Sequence, residues 1–329
     1  MIRVHNKGNF IGFRSVKHFT RQLMSGEEKN SVSVPVNKYG PDLSSKLYTG
    51  LCLGVGGMKG LLLLGALHVF WQNDQLKALT HLAGSSVGSM IVALLAIGYN
   101  PLEMLVGICD TYFTNQFSVL NWRNIGTIMG LFPHSILRTK LEEMFIGKLG
   151  YLPTFKQLAE NLNKHLIITS YCLSDSDPKT SKVYFSWETF PNMPVIEAII
   201  LSCSVPGVFQ QAKYDGKVWT DGACTSMFPI RTLQSALPTN TPILGLYLGS
   251  NTVDLNDPLG YLYALMSFPF RDQDNLSGLD EAVNYISIKG NESTGSLMSS
   301  INFARGASQK ISMFIHGARQ VQDIFKHKD

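Results

Sequence analysis

Two stretches of this chain hold residues whose type and spacing could attack an ester. Gly84-Ser85-Ser86-Val87-Gly88 is a G-x-S-x-G pentapeptide between two apolar runs, Leu79–Ala83 and Ser89–Gly98. A serine centred on a sharp strand-to-helix turn has its hydroxyl pushed into the open, and the glycines admit backbone approach that a Cβ would block. The helix that follows adds its N-terminal dipole, which favours negative charge developing there. Ser86, not Ser85, holds the central position and is the candidate nucleophile. Three small residues recur by chance in a glycine-rich chain, so the weight of the motif comes from its place between strand and helix.

The second stretch is Gly54-Val55-Gly56-Gly57-Met58-Lys59-Gly60. A nucleotide loop is its obvious rival. A Walker A loop needs Ser or Thr after the lysine, and here Gly60 follows Lys59; the dinucleotide fingerprint counted from Gly54 needs glycine at position 59. What remains is a run of exposed backbone N–H groups opening a helix, which suits an oxyanion, with Lys59 adding positive charge nearby. A merely tight strand–helix turn is the bland alternative. A candidate base lies in Trp219-Thr220-Asp221-Gly222-Ala223, six residues after Asp215-Gly216, which reads as a hairpin turn. Spacing alone does not make either aspartate catalytic.

The histidines speak against a classical triad. An α/β-hydrolase needs serine, acid and histidine in that chain order. After Asp221 only His316 and His327 remain, both in the last amphipathic segment, and His81 falls in the strand before Ser86. No His/Cys/Asp grouping has metal-ligand spacing, so neither metal nor cofactor is expected. The five cysteines are scattered without a CxxC pair, which fits a reduced intracellular protein that uses them as small apolar side chains.

These groups need elements to position them. Lys46–Leu53 reads as a strand running into the glycine loop, and Leu61–Trp71 as a helix apolar all round. Leu79–Ala83 is a second strand and Ser89–Gly98 a second helix ending at glycine. Two strand–glycine–helix units in succession predict parallel βαβ architecture with the site at the carboxyl ends of the strands. Further strands are expected at Leu166–Leu173, Val183–Trp187 and Ile243–Leu248, a helix at Pro194–Cys203, and a hairpin of Phe209–Tyr214 with Lys217–Thr220. Apolar residues recurring from Leu297 to Phe325 describe a C-terminal amphipathic helix over about 296–326.

With 45% hydrophobic and 16% charged residues in 329, a sizeable core forms, and a net charge of +4 is too small to argue for nucleic acid. The basic excess is local. Residues 1–46 carry Arg3, Lys7, Arg14, Lys17, Arg21, Lys29, Lys38 and Lys46 against Glu27, Glu28 and Asp42, a basic extension that could meet an anionic membrane or simply be solvated. Residues 47–329 read as one catalytic domain. Without an apolar leader or a run long enough to span a bilayer, a cytoplasmic or peripherally membrane-associated protein is expected. Phe117–Leu137 and Leu259–Phe270, apolar and aromatic, could line an acyl groove, touch the bilayer or pack in the core.

Taken in order, G-x-G-G-x-K-G, G-x-S-x-G and D-G-A resemble the patatin-like phospholipase family over about Leu47–Leu248. Thr154-Phe155 ahead of Leu166–Ser170, and Ser202-Cys203-Ser204-Val205-Pro206-Gly207-Val208-Phe209 ahead of the hairpin, are similar to the family's intervening text. The resemblance implies a three-layer α/β/α sandwich with a mostly parallel central sheet. It also implies a Ser–Asp dyad of Ser86 and Asp221 without histidine. An oxyanion hole would come from the N–H groups of Gly56, Gly57 and Met58 with Lys59, and Gly54, Gly60, Gly84, Gly88 and Gly222 would be the motif glycines. Substrates would be membrane phospholipids or other acyl esters, cleaved through an acyl-serine. Ala223 replaces the commoner glycine, Cys224–Pro229 lacks an asparagine before its proline, and residues 1–46 match nothing. An acyltransferase on the same site, or a membrane-binding protein that keeps the fold without activity, are the rival readings.

Overall fold

The structure is a computed structural model of the chain, and it describes residues 43, 46–117, 123–249, 276–290 and 304–326. The basic extension, apart from Leu43 and Lys46, and the segment Leu259–Phe270 lie outside the described residues.

Strand β1 (Gly50–Leu53) feeds the glycine loop and helix α1 (Gly60–Gln72); β2 (His81–Gly84) feeds α2 (Val87–Ala96). Helix α3 (Pro101–Ile108) follows, opened by Asn100, whose side chain accepts the N–H groups of Leu102 and Glu103 while Glu103 reaches back to the Asn100 N–H. After β3 (Gly130–Phe132) come α4 (Ser135–Leu149), α5 (Phe155–Leu162), β4 (His165–Cys172) and β5 (Lys182–Phe185). Then follow α6 (Val195–Ser202), β6 (Gly207–Phe209), β7 (Ala212–Tyr214), β8 (Lys217–Thr220), β9 (Ile243–Leu248), β10 (Val283–Ile288) and the C-terminal helix α7 (Ala307–Lys326).

The main sheet runs β10-β9-β1-β2-β4-β8-β7, with β5 also on β4. From β10 to β4 the strands are parallel, and β5, β8 and β7 are antiparallel. Successive residues point to opposite faces, and each face has its own core. Leu51, Leu53, Leu82, Leu166, Ile168, Leu244 and Leu246 join the larger cluster under α1, α2 and α7. Cys52, Ala83, Ile167, Ile243 and Tyr285 join a second cluster covered by Phe228 and the short helix Ile230–Ser235. The fold is therefore a three-layer α/β/α sandwich, as expected.

Helix α1 is buried along Gly60–Phe70 because α7 lies across it. The two backbones touch: a Cβ on Gly65 would enter the carbonyl of Phe314, and one on Gly317 the carbonyl of Leu62. Among the described residues no helix is long and apolar enough to cross a membrane.

Several boundaries depart from the sequence reading. Strand β1 starts at Gly50, not Lys46, and α2 at Val87, because the turn at Ser86 feeds the helix directly. The run Phe209–Tyr214 divides. Gly207–Phe209 pairs in parallel with Gly130–Phe132 in a separate small sheet, and only Ala212–Tyr214 forms the hairpin with β8. Its turn is Asp215-Gly216 as expected, with φ of 50° and 70°. Helix α7 starts at Ala307, with Ala304–Gly306 non-helical before it; residues 297–303 lie outside the described residues.

Candidate active site

The topology brings the serine and the aspartate together in one lane of the sheet. Ile168 of β4 pairs with Gly84 of β2 on one edge and with Phe185 of β5 on the other. Tyr171 pairs with Lys182 of β5 and Thr220 of β8. A strand residue has one partner per edge, so β2 and β8 lie end to end along the same edge of β4. β2 runs toward this junction and stops at Gly84; β8 runs toward it from the opposite side and stops at Thr220. Ser86 and Asp221 are what each strand delivers into the gap.

Ser86 has φ 52° and ψ −125°, a left-handed conformation that a β-substituted residue adopts at a cost. It is held from three sides. Its N–H donates to Ser202 Oγ at 2.9 Å, its carbonyl accepts the Ser89 hydroxyl at 2.6 Å, and its own hydroxyl donates to Asp221 Oδ2 at 2.7 Å. Gly84 and Gly88 make the turn possible. A Cβ on Gly84 would stand 2.5 Å from the backbone of Gly88 and Ser89, and one on Gly88 would enter the carbonyl of Leu53.

Asp221 caps a short 3₁₀ turn, Gly222–Cys224. Its Oδ1 accepts the Ala223 N–H at 2.9 Å and its own N–H donates to the Ser204 carbonyl at 3.1 Å. Gly222 is pressed on Thr169 and Ser202 so closely that a Cβ would lie 2.6 Å from the Thr169 carbonyl. The Asp221 carboxyl is buried, and burial pushes its pKa up to about 7 against the opposing pull of the Ala223 N–H and the Ser86 hydroxyl. Cys203 and Cys224 beside it are pushed above the usual thiol range, by burial first and by the Asp221 charge second. All five cysteines are buried and none forms a disulfide.

The glycine loop joins the same site. Gly54 donates to the Leu246 carbonyl and Val55 to that of Met227, which fixes the loop over the ends of β9 and β1. Gly60 stands against Val87: a Cβ there would lie 2.7 Å from the valine side chain, so α1 and α2 begin side by side. Gly56 is extended (φ 174°), Gly57 is left-handed (φ 51°), and a single 3₁₀ turn, Gly57–Lys59, leads into α1. Lys59 gives its N–H to the Gly56 carbonyl, whereas no backbone acceptor among the described residues takes the N–H of Gly57 or Met58. The Lys59 side chain is buried, and burial, with Arg305 nearby, lowers its pKa.

An apolar cavity of about 100 Å³ opens beside Ser86 and Gly57, walled by α1, α2, α3 and α4. Phe117 and Leu137 line it, at the two ends of the aromatic segment singled out in the sequence, and Phe117 and Phe209, both in its wall, pack with Leu131 and Phe132 in a small cluster beside it. No described histidine bonds either residue of the pair. His81 stacks on His165 at 4.5 Å, His316 lies on α7, and His134 bonds Ser204 Oγ at 3.0 Å with its pKa lowered to about 4 by burial; His327 lies outside the described residues. Among the described residues no group of three His, Cys, Asp or Glu side chains is placed to hold a metal ion. The sequence reading missed Ser202 and Ser89, whose value depends on the chain segment each one meets.

The family model of the patatin-like phospholipases matches residues 51–233. The chain is 32% identical to the probable lipid hydrolase 463L of Invertebrate iridescent virus 6 over 200 residues, 59% of this chain and 66% of that protein. It is 26% identical to the uncharacterized protein R571 of Acanthamoeba polyphaga mimivirus over 202 residues, 57% of this chain and 62% of that protein. It thus spans less than two thirds of the length of either relative. Among solved structures, human GIVD cytosolic phospholipase A2 is similar with a TM-score of 0.47 at 10% identity, over 96% of this chain and 63% of that one. The chain belongs to the patatin-like phospholipase family.

Proposed function

We propose that the protein is a lipid acyl hydrolase that cleaves acyl esters through an acyl-serine intermediate on Ser86, with Asp221 as the base. The observation that carries this reading is the 2.7 Å hydrogen bond from Ser86 Oγ, at the wall of an apolar cavity, to a buried Asp221 carboxylate. As Ser86 Oγ attacks the ester carbonyl, Asp221 takes its proton and the carbonyl oxygen gains negative charge. The N–H groups of Gly57 and Met58 are offered to that oxygen, beside the dipole of α1 and the Lys59 charge. Collapse of the tetrahedral adduct expels the alcohol, which takes the proton back from Asp221. Water, deprotonated by the same carboxylate, then attacks the acyl-serine, and Ser86 Oγ leaves with that proton from Asp221 as the acid is released.

Burial of Asp221 serves the first step, since a carboxylate with a raised pKa is a stronger base than one in water. The substrate is an acyl-ester lipid whose chain enters the cavity, and the basic residues of 1–46 are the proposed contact with an anionic membrane, each worth about 1 kcal/mol near such a surface. The test is a fluorophosphonate probe followed by mass spectrometry, with a lipid panel assayed on wild type and Ser86→Ala. The expected result is one adduct, on Ser86, and release of fatty acid by the wild type alone. An adduct on Ser85, or lipid hydrolysis that survives Ser86→Ala, would overturn it. Vesicle sedimentation indifferent to anionic lipid and to salt would remove the extension from the reading.

A further inference from the structure

Helix α3 carries in its last turn a glycine, Gly107, that neither its backbone nor its packing requires. Gly107 is helical and has no positive φ. A Cβ added there would meet Met144 Cε at 3.5 Å, Met144 Sδ at 3.7 Å and Lys140 Cε at 4.0 Å, all ordinary contacts. Alanine is the better helix former, and it would fit here, so the missing side chain asks for another reason. Gly107, Lys140 and Met144 all line the apolar cavity beside Ser86.

The place of Gly107 along that cavity follows from two ion pairs. Glu103 meets Lys148 at 3.4 Å and Asp110 meets Lys140 at 3.2 Å, so α3 and α4 run antiparallel and Gly107 falls opposite Lys140–Met144. Helix α4 starts at the catalytic end: His134, just before it, bonds Ser204, whose carbonyl holds the Asp221 N–H. At 1.5 Å per residue, Lys140 and Met144 lie about 9 and 15 Å along α4 from His134. Gly107 therefore faces a stretch of cavity well removed from the reacting serine.

We infer that Gly107 is a specificity-determining position: having no side chain, it leaves unnarrowed the bore along which a long acyl chain lies between α3 and α4. The inference rests on the acyl-hydrolase reading for its substrate, and it makes a separate claim about chain length. A short acyl group bound at Ser86 ends before this level; a long one lies against it. Methionine is pliable, so Met144 can yield to one added methyl, whereas a leucine at position 107 fills the bore.

The experiment compares wild type, Gly107→Ala, Gly107→Leu and Gly147→Ala on p-nitrophenyl esters from acetate to palmitate. Gly147 lies on the exposed side of α4, with only Tyr99 Oη, at 3.8 Å, near an added Cβ, and is the control. The expected result is a palmitate-to-acetate ratio of kcat/KM reduced about ten-fold or more by Gly107→Leu, less by Gly107→Ala, and not by Gly147→Ala. Parallel length profiles for Gly107→Leu and wild type would overturn the inference, and the alanine variant carries the test should the leucine variant fail to fold. Displacement of a fluorescent fatty acid by C6 to C16 acids gives a second readout without turnover. If wild type hydrolyses no ester, the function reading fails, and displacement still decides about Gly107. Length-dependent weakening by Gly107→Leu supports the bore, whereas uniform affinities, or no binding to wild type at any length, reject it.

Discussion

The backbone N–H of Ser86 is held by the side chain of Ser202, 116 positions later in the chain, at 2.9 Å. This bond pins the left-handed elbow to the last residue of α6 and takes up a donor that would otherwise be buried alone. Ser202→Ala leaves that donor unpaired, which costs about 1–3 kcal/mol of stability. Thermal unfolding should register the loss, and turnover should fall with it as the elbow relaxes. A variant as stable and as active as wild type would show that the elbow holds itself.

Ser86→Ala and Asp221→Asn should each abolish hydrolysis, with losses on the order of 10³ or more, and the double mutant should be no worse than either because the two act as one unit. His81→Gln and His316→Gln should stay within a few-fold, since neither ring bonds the pair. Single-turnover assays of folded variants decide. A loss in His316→Gln as complete as that in Ser86→Ala would replace the dyad with a histidine-dependent mechanism.

Burial raises the Asp221 pKa from an ordinary 3.8 to about 7, and two consequences of opposite sense follow. In the proposed mechanism Asp221 is the base and must be ionised, so kcat/KM should rise with pH through about 7. Between the two values the folded protein holds a proton that the unfolded chain has released, so this group's contribution to stability falls as pH rises from about 4 to 7. Asp221→Asn removes the penalty. Its melting temperature should exceed that of wild type by about 2 °C or more at pH 8 and converge with it at pH 4. An equal shift at both pH values would mean that the carboxyl is not the cause.

Gly57 has φ 51°, no backbone acceptor among the described residues takes its N–H, and the proposed mechanism offers that N–H to the oxyanion. Gly57→Ala strains that conformation and adds a methyl group where backbone must face the developing charge. Losing one such donor typically costs about 10²–10³ in rate. Steady-state kinetics on the folded variant check this, and a rate near wild type would leave the loop as a turn and nothing more.

How far the sequence spoke differs from residue to residue. Gly54–Gly60 and Gly84–Gly88 were legible because each is a local device, a turn or a close approach that few residue types satisfy, whereas Asp221-Gly222 was told apart from Asp215-Gly216 only by the family resemblance. The strands β1, β2, β4 and β9 were legible because both of their faces are buried, which leaves continuous apolar runs. β10 was missed: Val283–Ile288 mixes Asn284 and Ser287 among apolar residues, and both polar groups lie buried. The parallel pairing of Gly207–Phe209 with Gly130–Phe132 was missed because register across 77 positions leaves no local mark. Ser202 and Gly107 belong with these. One is a hydroxyl and the other a lack of side chain, and each acquires meaning only from the segment folded against it.

The shared lane of β2 and β8 makes β4 a measuring rod. Between Ile168, the last residue paired with β2, and Tyr171, the first paired with β8, lie Thr169 and Ser170. Ser170 donates its hydroxyl to the Thr220 carbonyl at 2.8 Å and accepts the Thr225 hydroxyl at 2.5 Å, which clamps the aspartate's turn to the rod. One strand residue spans about 3.3 Å, more than the whole distance between Ser86 Oγ and Asp221 Oδ2. A single residue inserted into this stretch of β4 would thus separate two groups that it never touches, and the tolerance of the chemistry is written into the length of a strand buried behind it.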